Sequence, residues 1–155
     1  MEQCNKIIEI LKNNNLSISG AESITGGLIS SELVKVSGAS DVFRGTLVSY
    51  QSSVKINTLK VDKQLVDRYT PVSIAVLSSM LDGAKNLFDT DIAYAITGSA
   101  GPTSYDEIPV GLVYYGISYK NHQYLHKKVY TGPRCDIIKE AKNDLIDLIL
   151  EIIIK

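Results

Sequence analysis

In Ala21-Glu22-Ser23-Ile24-Thr25-Gly26-Gly27, two hydroxyls and two glycines stand between a short β-compatible segment and a stripe of apolar residues at helical spacing. The first peptide N–H groups of a helix lack partners within it and carry the positive end of its dipole, so Gly26-Gly27 suits an anion or an oxyanion. The plainer alternative is that Ser23 or Thr25 caps the helix while the glycines make the turn. The segment lacks the Gly-Lys-Ser/Thr ending of a P-loop and is not a Gly-x-Ser-x-Gly elbow.

Two further groups invite chemistry. Tyr50 closes a strand and Lys55 follows five residues later, near the start of the next helix; an exposed helix lysine and a half-buried tyrosine are the alternative. Gly98-Ser99-Ala100-Gly101-Pro102 is a strand-end loop whose small residues let a ligand approach the backbone, or form a plain turn. His122 and His126 have no Cys or carboxylate neighbours at ligand spacing, so no metal is called for. Asp106-Glu107 reads as a solvated loop, and Tyr114, Tyr115, Tyr119, Tyr124 and Tyr130 read as sheet residues rather than a base-stacking platform.

These groups need elements to hold them. Residues 2–13 place Ile7, Ile8 and Leu11 at helical spacing, and Leu16 to Ala21 form a short strand. Leu28, Ile29, Leu33, Val34 and Val36 resume a helix that stops at Ser37-Gly38. Phe43 to Tyr50 reads as a strand, Ser52 or Ser53 caps a helix carrying Val54, Ile56 and Leu59, and Asp62 starts another turn. Pro71-Val72-Ser73 opens a longer helix to Phe88. Ile92 to Thr97, Gly111 to Tyr119 and His122 to Tyr130 are strands, the last two joined as a hairpin at Lys120-Asn121. From Pro133, Ile137, Ile138, Ala141, Leu145, Ile149 and Ile152 mark a closing helix. Helices interleaved with strands and a late hairpin predict an α/β fold, a three-layer α/β/α domain with a mixed sheet, as one domain over 1–155.

Composition narrows the function classes. A chain of 155 residues, 45% hydrophobic and 21% charged, suits one core without disulfide or metal staples. The 16 Lys+Arg balance 17 Asp+Glu, which argues against a nucleic-acid partner. Cys4 and Cys135 form no CxxC, and no apolar run reaches the roughly 20 residues of a membrane span, so a cytoplasmic, membrane-free protein is expected. Ile152-Ile153-Ile154 is apolar nearly all round, and a homo-oligomer is expected from it.

Five blocks in order resemble the CinA C-terminal domain family: residues 21–27, Ser-Gly-Ala-Ser-Asp-Val-Phe-Arg-Gly at 37–45, Tyr50 with Lys55, Gly98-x-Ala-Gly-Pro, and Pro109-Val-Gly-Leu-Val. The resemblance covers nearly the whole chain, and the chain looks like the stand-alone form, without the larger N-terminal domain of longer members. It implies an amidohydrolase that converts nicotinamide mononucleotide, its small-molecule substrate, to nicotinic acid mononucleotide and ammonia without a cofactor. The serine, tyrosine and lysine it implies fall on Ser23, Tyr50 and Lys55. This chain reads Gln51-Ser52-Ser53-Val54 where the family commonly has Ser-Asn-Glu-Ala, and Thr103-Ser104-Tyr105 where further glycines are common.

Such an amide needs an activated hydroxyl, a proton shuttle and oxyanion donors. Ser23, Lys55 and the N–H groups near Gly26-Gly27 are expected to supply them, with the helix dipole and burial lowering the Lys55 pKa. Tyr50 is expected to orient Lys55 or relay its proton. Thr25, the loop of Gly98, Ala100 and Gly101, and Arg134 are candidates for the monophosphate. The alternative is a non-catalytic CinA-like domain that binds a pyridine nucleotide or a protein.

Overall fold

Every residue of the first strand is buried, as expected where helices cover both faces of a sheet. The computed structural model describes residues 1–104 and 107–155; Tyr105 and Asp106, and the loop reading made for them, lie outside the described residues. The order is α1 (Glu2–Asn13), β1 (Ile18–Glu22), α2 (Leu28–Val34), a one-turn 3-10 helix (Ala39–Asp41), β2 (Phe43–Val48), α3 (Ser52–Asn57), α4 (Lys63–Tyr69), α5 (Ile74–Phe88), β3 (Ile92–Gly98), β4 (Leu112–Tyr119), β5 (His122–Val129) and α6 (Arg134–Ile153). The sheet runs β2-β1-β3-β4-β5, with β1 parallel to β2 and β3 and the last two strands antiparallel. This is the predicted three-layer α/β/α domain with a mixed sheet.

Alternation along β3 shows how the layers are built. Ile92, Tyr94 and Ile96 enter a core with α1, α2 and α6, while Ala93 and Ala95 face α5 through Val76, Leu77, Met80 and Leu81. Large side chains fill one layer, and small ones let α5 lie close on the other. Gly20, opposite Tyr94 in the β1–β3 register, makes room for that ring: a Cβ there would lie 2.1 Å from Tyr94 Cζ. Lys120 and Asn121 take φ of 49° and 59°, the left-handed pair that a two-residue hairpin turn requires.

Several boundaries move from expectation. The Ser73 hydroxyl accepts from Val76 N, so α5 starts after the cap rather than at Pro71. Gln51 precedes α3 without a side-chain cap, so neither Ser52 nor Ser53 plays that part, whereas Asp62 does cap α4 by accepting from Gln64 N. At the end of α6, Ile152 and Ile153 pack into the core and Ile154 alone is exposed. The apolar terminus is therefore mostly core, which removes the reason given for self-association. Among the described residues no helix is long and apolar enough to cross a membrane.

Candidate active site

The carboxyl ends of the parallel strands β1, β2 and β3 lead into Ser23, Tyr50 and the Gly98 loop, the end of such a sheet where ligands bind. Together they line a cavity of about 620 Å³, a size suited to a small organic ligand. Ser23, Lys55 and Thr97 are among its lining residues, Ile24, Pro71, Val72 and Ile108 add apolar surface, and Tyr50, Gly101, Thr103 and Arg134 also face it.

Ser23 directly follows β1, and its N–H extends the sheet by donating to Ile96 O at 3.0 Å. Its Oγ lies 2.9 Å from Lys55 Nζ, which also donates to Ser49 O at 2.6 Å. Lys55 is only 1% exposed. Burial disfavours its ammonium form and lowers its pKa to about 8. The expected dipole contribution is a correction to make: Lys55 lies in the last turn of the six-residue α3, away from the positive end, and desolvation alone carries the shift. A neutral amine here keeps its donation to Ser49 O and turns a lone pair to the Ser23 hydroxyl.

Glu22 reorganises the expected anion site. Its carboxylate, 0% exposed, accepts from Gly27 N (3.0 Å), Ile29 N (3.1 Å) and Ser30 N (2.9 Å), from the Thr25 hydroxyl (2.7 Å) and from Tyr94 OH (3.2 Å). The N-terminus of α2 thus holds an internal anion. Burial and this carboxylate hold the Tyr94 phenol above its ordinary pKa. Thr25, Gly26 and Gly27 do not line the cavity, and Gly26 N donates back to Ser23 O (3.1 Å). They are corrected from ligand donors to parts of the turn, because a side chain of the chain itself has already taken the Thr25 hydroxyl and the Gly27 N–H. An acid at a strand end, followed by Thr and Gly-Gly at a helix start, was the signal available for Glu22.

Tyr50 is 58% exposed and its hydroxyl accepts from Arg134 Nη2 at 2.9 Å, while Arg134 Nη1 donates to Gly101 O at 2.8 Å. Arg134 therefore ties the end of β2 to the Gly98 loop. Tyr50 makes no hydrogen bond to Lys55 among the described residues, so the expected orienting contact is absent from this arrangement. Gly98 and Ala100 line the cavity with Gly101, and a Cβ on Gly98 would lie 2.8 Å from Val113 Cγ2. Thr97, which sequence reasoning missed, lines the cavity and donates to Pro71 O at 2.9 Å. His122 and His126 lie exposed on β5, against the rings of Tyr124 and Tyr115.

Comparison with known proteins bears on the family and the fold. Residues 2–153 match the family model described as the CinA C-terminal domain. A CinA-like protein of Petrotoga mobilis is 36% identical over 136 residues, covering 87% of this chain and 34% of its own length. Another, from Fusobacterium nucleatum, is 41% identical over 141 residues, covering 90% and 34%. This chain spans about a third of the length of these curated relatives. The crystal structure of a competence/damage inducible protein, CihA, from Agrobacterium tumefaciens superposes with a TM-score of 0.93 at 29% identity, covering 99% of this chain and 94% of that one.

Proposed function

This chain belongs to the CinA C-terminal domain family, and we propose that it hydrolyses the carboxamide of nicotinamide mononucleotide to nicotinic acid mononucleotide and ammonia. The observation that carries this reading is the 2.9 Å contact between the buried Lys55 Nζ and Ser23 Oγ at the cavity wall. Neutral Lys55 takes the proton as Ser23 Oγ bonds to the amide carbon, giving a tetrahedral oxyanion. Collapse breaks the C–N bond, and Lys55 returns that proton to the departing nitrogen, which leaves as ammonia. Water then attacks the acyl-serine, losing its proton to Lys55, and the ester breaks as Lys55 passes that proton to Ser23 Oγ, which releases the carboxylic acid and restores Ser23 and neutral Lys55. No metal or redox partner enters this balance.

Arg134 has five N–H donors, of which Tyr50 and Gly101 O engage two, so it retains donors for the monophosphate beside the Gly98 loop. Ile24, Val72 and Ile108 offer apolar surface for the pyridine ring. The test is ammonia release from nicotinamide mononucleotide by the purified protein, beside folded Ser23→Ala. Turnover by the parent and a loss of at least about a thousandfold in the variant support the reading. Binding of the nucleotide without ammonia release supports the non-catalytic alternative.

A further inference from the structure

We propose that the peptide N–H of Ile24 stabilises the oxyanion in the tetrahedral step, an inference that rests on the amidohydrolase reading above. Most N–H groups around it are already committed. Ser23 N donates to Ile96 O, Gly26 N to Ser23 O, and those of Gly27, Ile29 and Ser30 to the Glu22 carboxylate. On the facing loop, Ser99 N donates to Leu112 O, while Ala100 N, also at the cavity, donates to no acceptor among the described residues but does not adjoin Ser23 in the chain. Ile24 is 5% exposed and lines the cavity, yet its N–H donates to no acceptor among the described residues. Thr25 N also lacks an acceptor there, but Thr25 does not line the cavity.

An N–H left without a protein partner at a cavity wall is free to donate to what the cavity holds. Next to a nucleophile, the missing acceptor is the oxygen that becomes charged in the reaction. The residue after a serine nucleophile at a strand-to-helix turn supplies this donor in other hydrolases, since its N–H lies beside the attacked carbonyl. Glu22 has a specific consequence here. By occupying the α2 N-terminus it leaves the turn itself, rather than the helix, to meet the oxyanion.

Ile24 is the second residue of the turn closed by Gly26 N and Ser23 O, a position proline fits, and its φ is not positive. Proline also favours an extended residue before it, which suits Ser23 as the continuation of β1. Ile24→Pro therefore deletes the N–H with little demand on the backbone, and Ile24→Val is its reference. A second variant carries the α-hydroxy acid analogue of isoleucine at position 24, exchanging the N–H for an ester oxygen without added bulk, and is read against the parent.

With nicotinamide mononucleotide as substrate, kcat in each test variant is expected to fall about 100- to 1,000-fold below its reference, with KM moving less than about threefold. Should circular dichroism show Ile24→Pro unfolded, the ester variant decides. An ester variant whose kcat stays within about threefold of the parent overturns the inference and leaves the Ser23 and Lys55 assignments standing. A parent that releases no ammonia overturns the amidohydrolase reading, and this inference with it.

Discussion

Lys55 illustrates how burial makes a base. An ordinary lysine, with a pKa near 10.4, is almost wholly charged at neutral pH and has no lone pair to offer. Held at about 8 by desolvation, Lys55 is neutral in on the order of a tenth of molecules at pH 7. Because the neutral amine is the active form, kcat/KM is expected to rise with pH through about 8 and then level off. Lys55→Arg and Lys55→Ala should each lower kcat by about 10²- to 10⁴-fold with KM largely retained, since a guanidinium keeps the charge but cannot accept the proton. Near-parental turnover by Lys55→Arg would reduce Lys55 to a fixed charge and leave the proton to water. Tyr50 is exposed at the cavity, with its hydroxyl held by Arg134.

Among the elements, β1 and α2 form one device. The seven-residue α2 is preceded at its N-cap by Gly27, whose φ of 101° is open to glycine and which has no side chain to cap with. Glu22 caps the helix from the preceding strand instead, and Tyr94, crossing over Gly20 from β3, donates to the same carboxylate. Glu22→Ala would strand three peptide N–H groups and two hydroxyls in the interior. Urea unfolding should show a loss on the order of 3 kcal/mol or more. Glu22→Gln should lose less, because one carbonyl oxygen still accepts while the amide nitrogen faces N–H donors. The Ser23 turn hangs directly from this arrangement, so both variants should also lose turnover.

For the whole molecule, the same burial that serves catalysis weakens the fold. Below pH 8 Lys55 is protonated in both folded and unfolded chains, and its desolvation cost is constant. Between about 8 and the unfolded value the unfolded chain holds one more proton, so stability rises with pH. The gain from this residue is on the order of 3 kcal/mol across that window. Denaturation at pH 7 and pH 10 should show Lys55→Met more stable than the parent at the lower pH, with the difference shrinking at the higher. An unchanged difference would place the Lys55 pKa back in the ordinary range. At the sheet's antiparallel edge, β5 is largely exposed and its Lys127 and Lys128 lie over Tyr114 and Tyr130.

Periodicity, capping residues and turn chemistry are local properties, so the order of helices and strands, the Asp62 cap, the Lys120-Asn121 hairpin and the mixed sheet were legible in the sequence alone. The pairing of Ser23 with Lys55 was legible too, but only through five motifs read in register, because nothing local brings residues 32 apart within 2.9 Å. Tertiary structure decided what occupies each polar group. Thr25 and Gly27 carry the residue types of an anion site, yet Glu22 reaches them first, and of the expected opening Pro71-Val72-Ser73 it is Ser73 that caps α5. Ile152 and Ile153 look like surplus apolar surface along the chain and become core once α6 packs. Residue type states what a group can do; which partner it meets, and whether water is there to compete, depends on distances that exist only after the chain has folded.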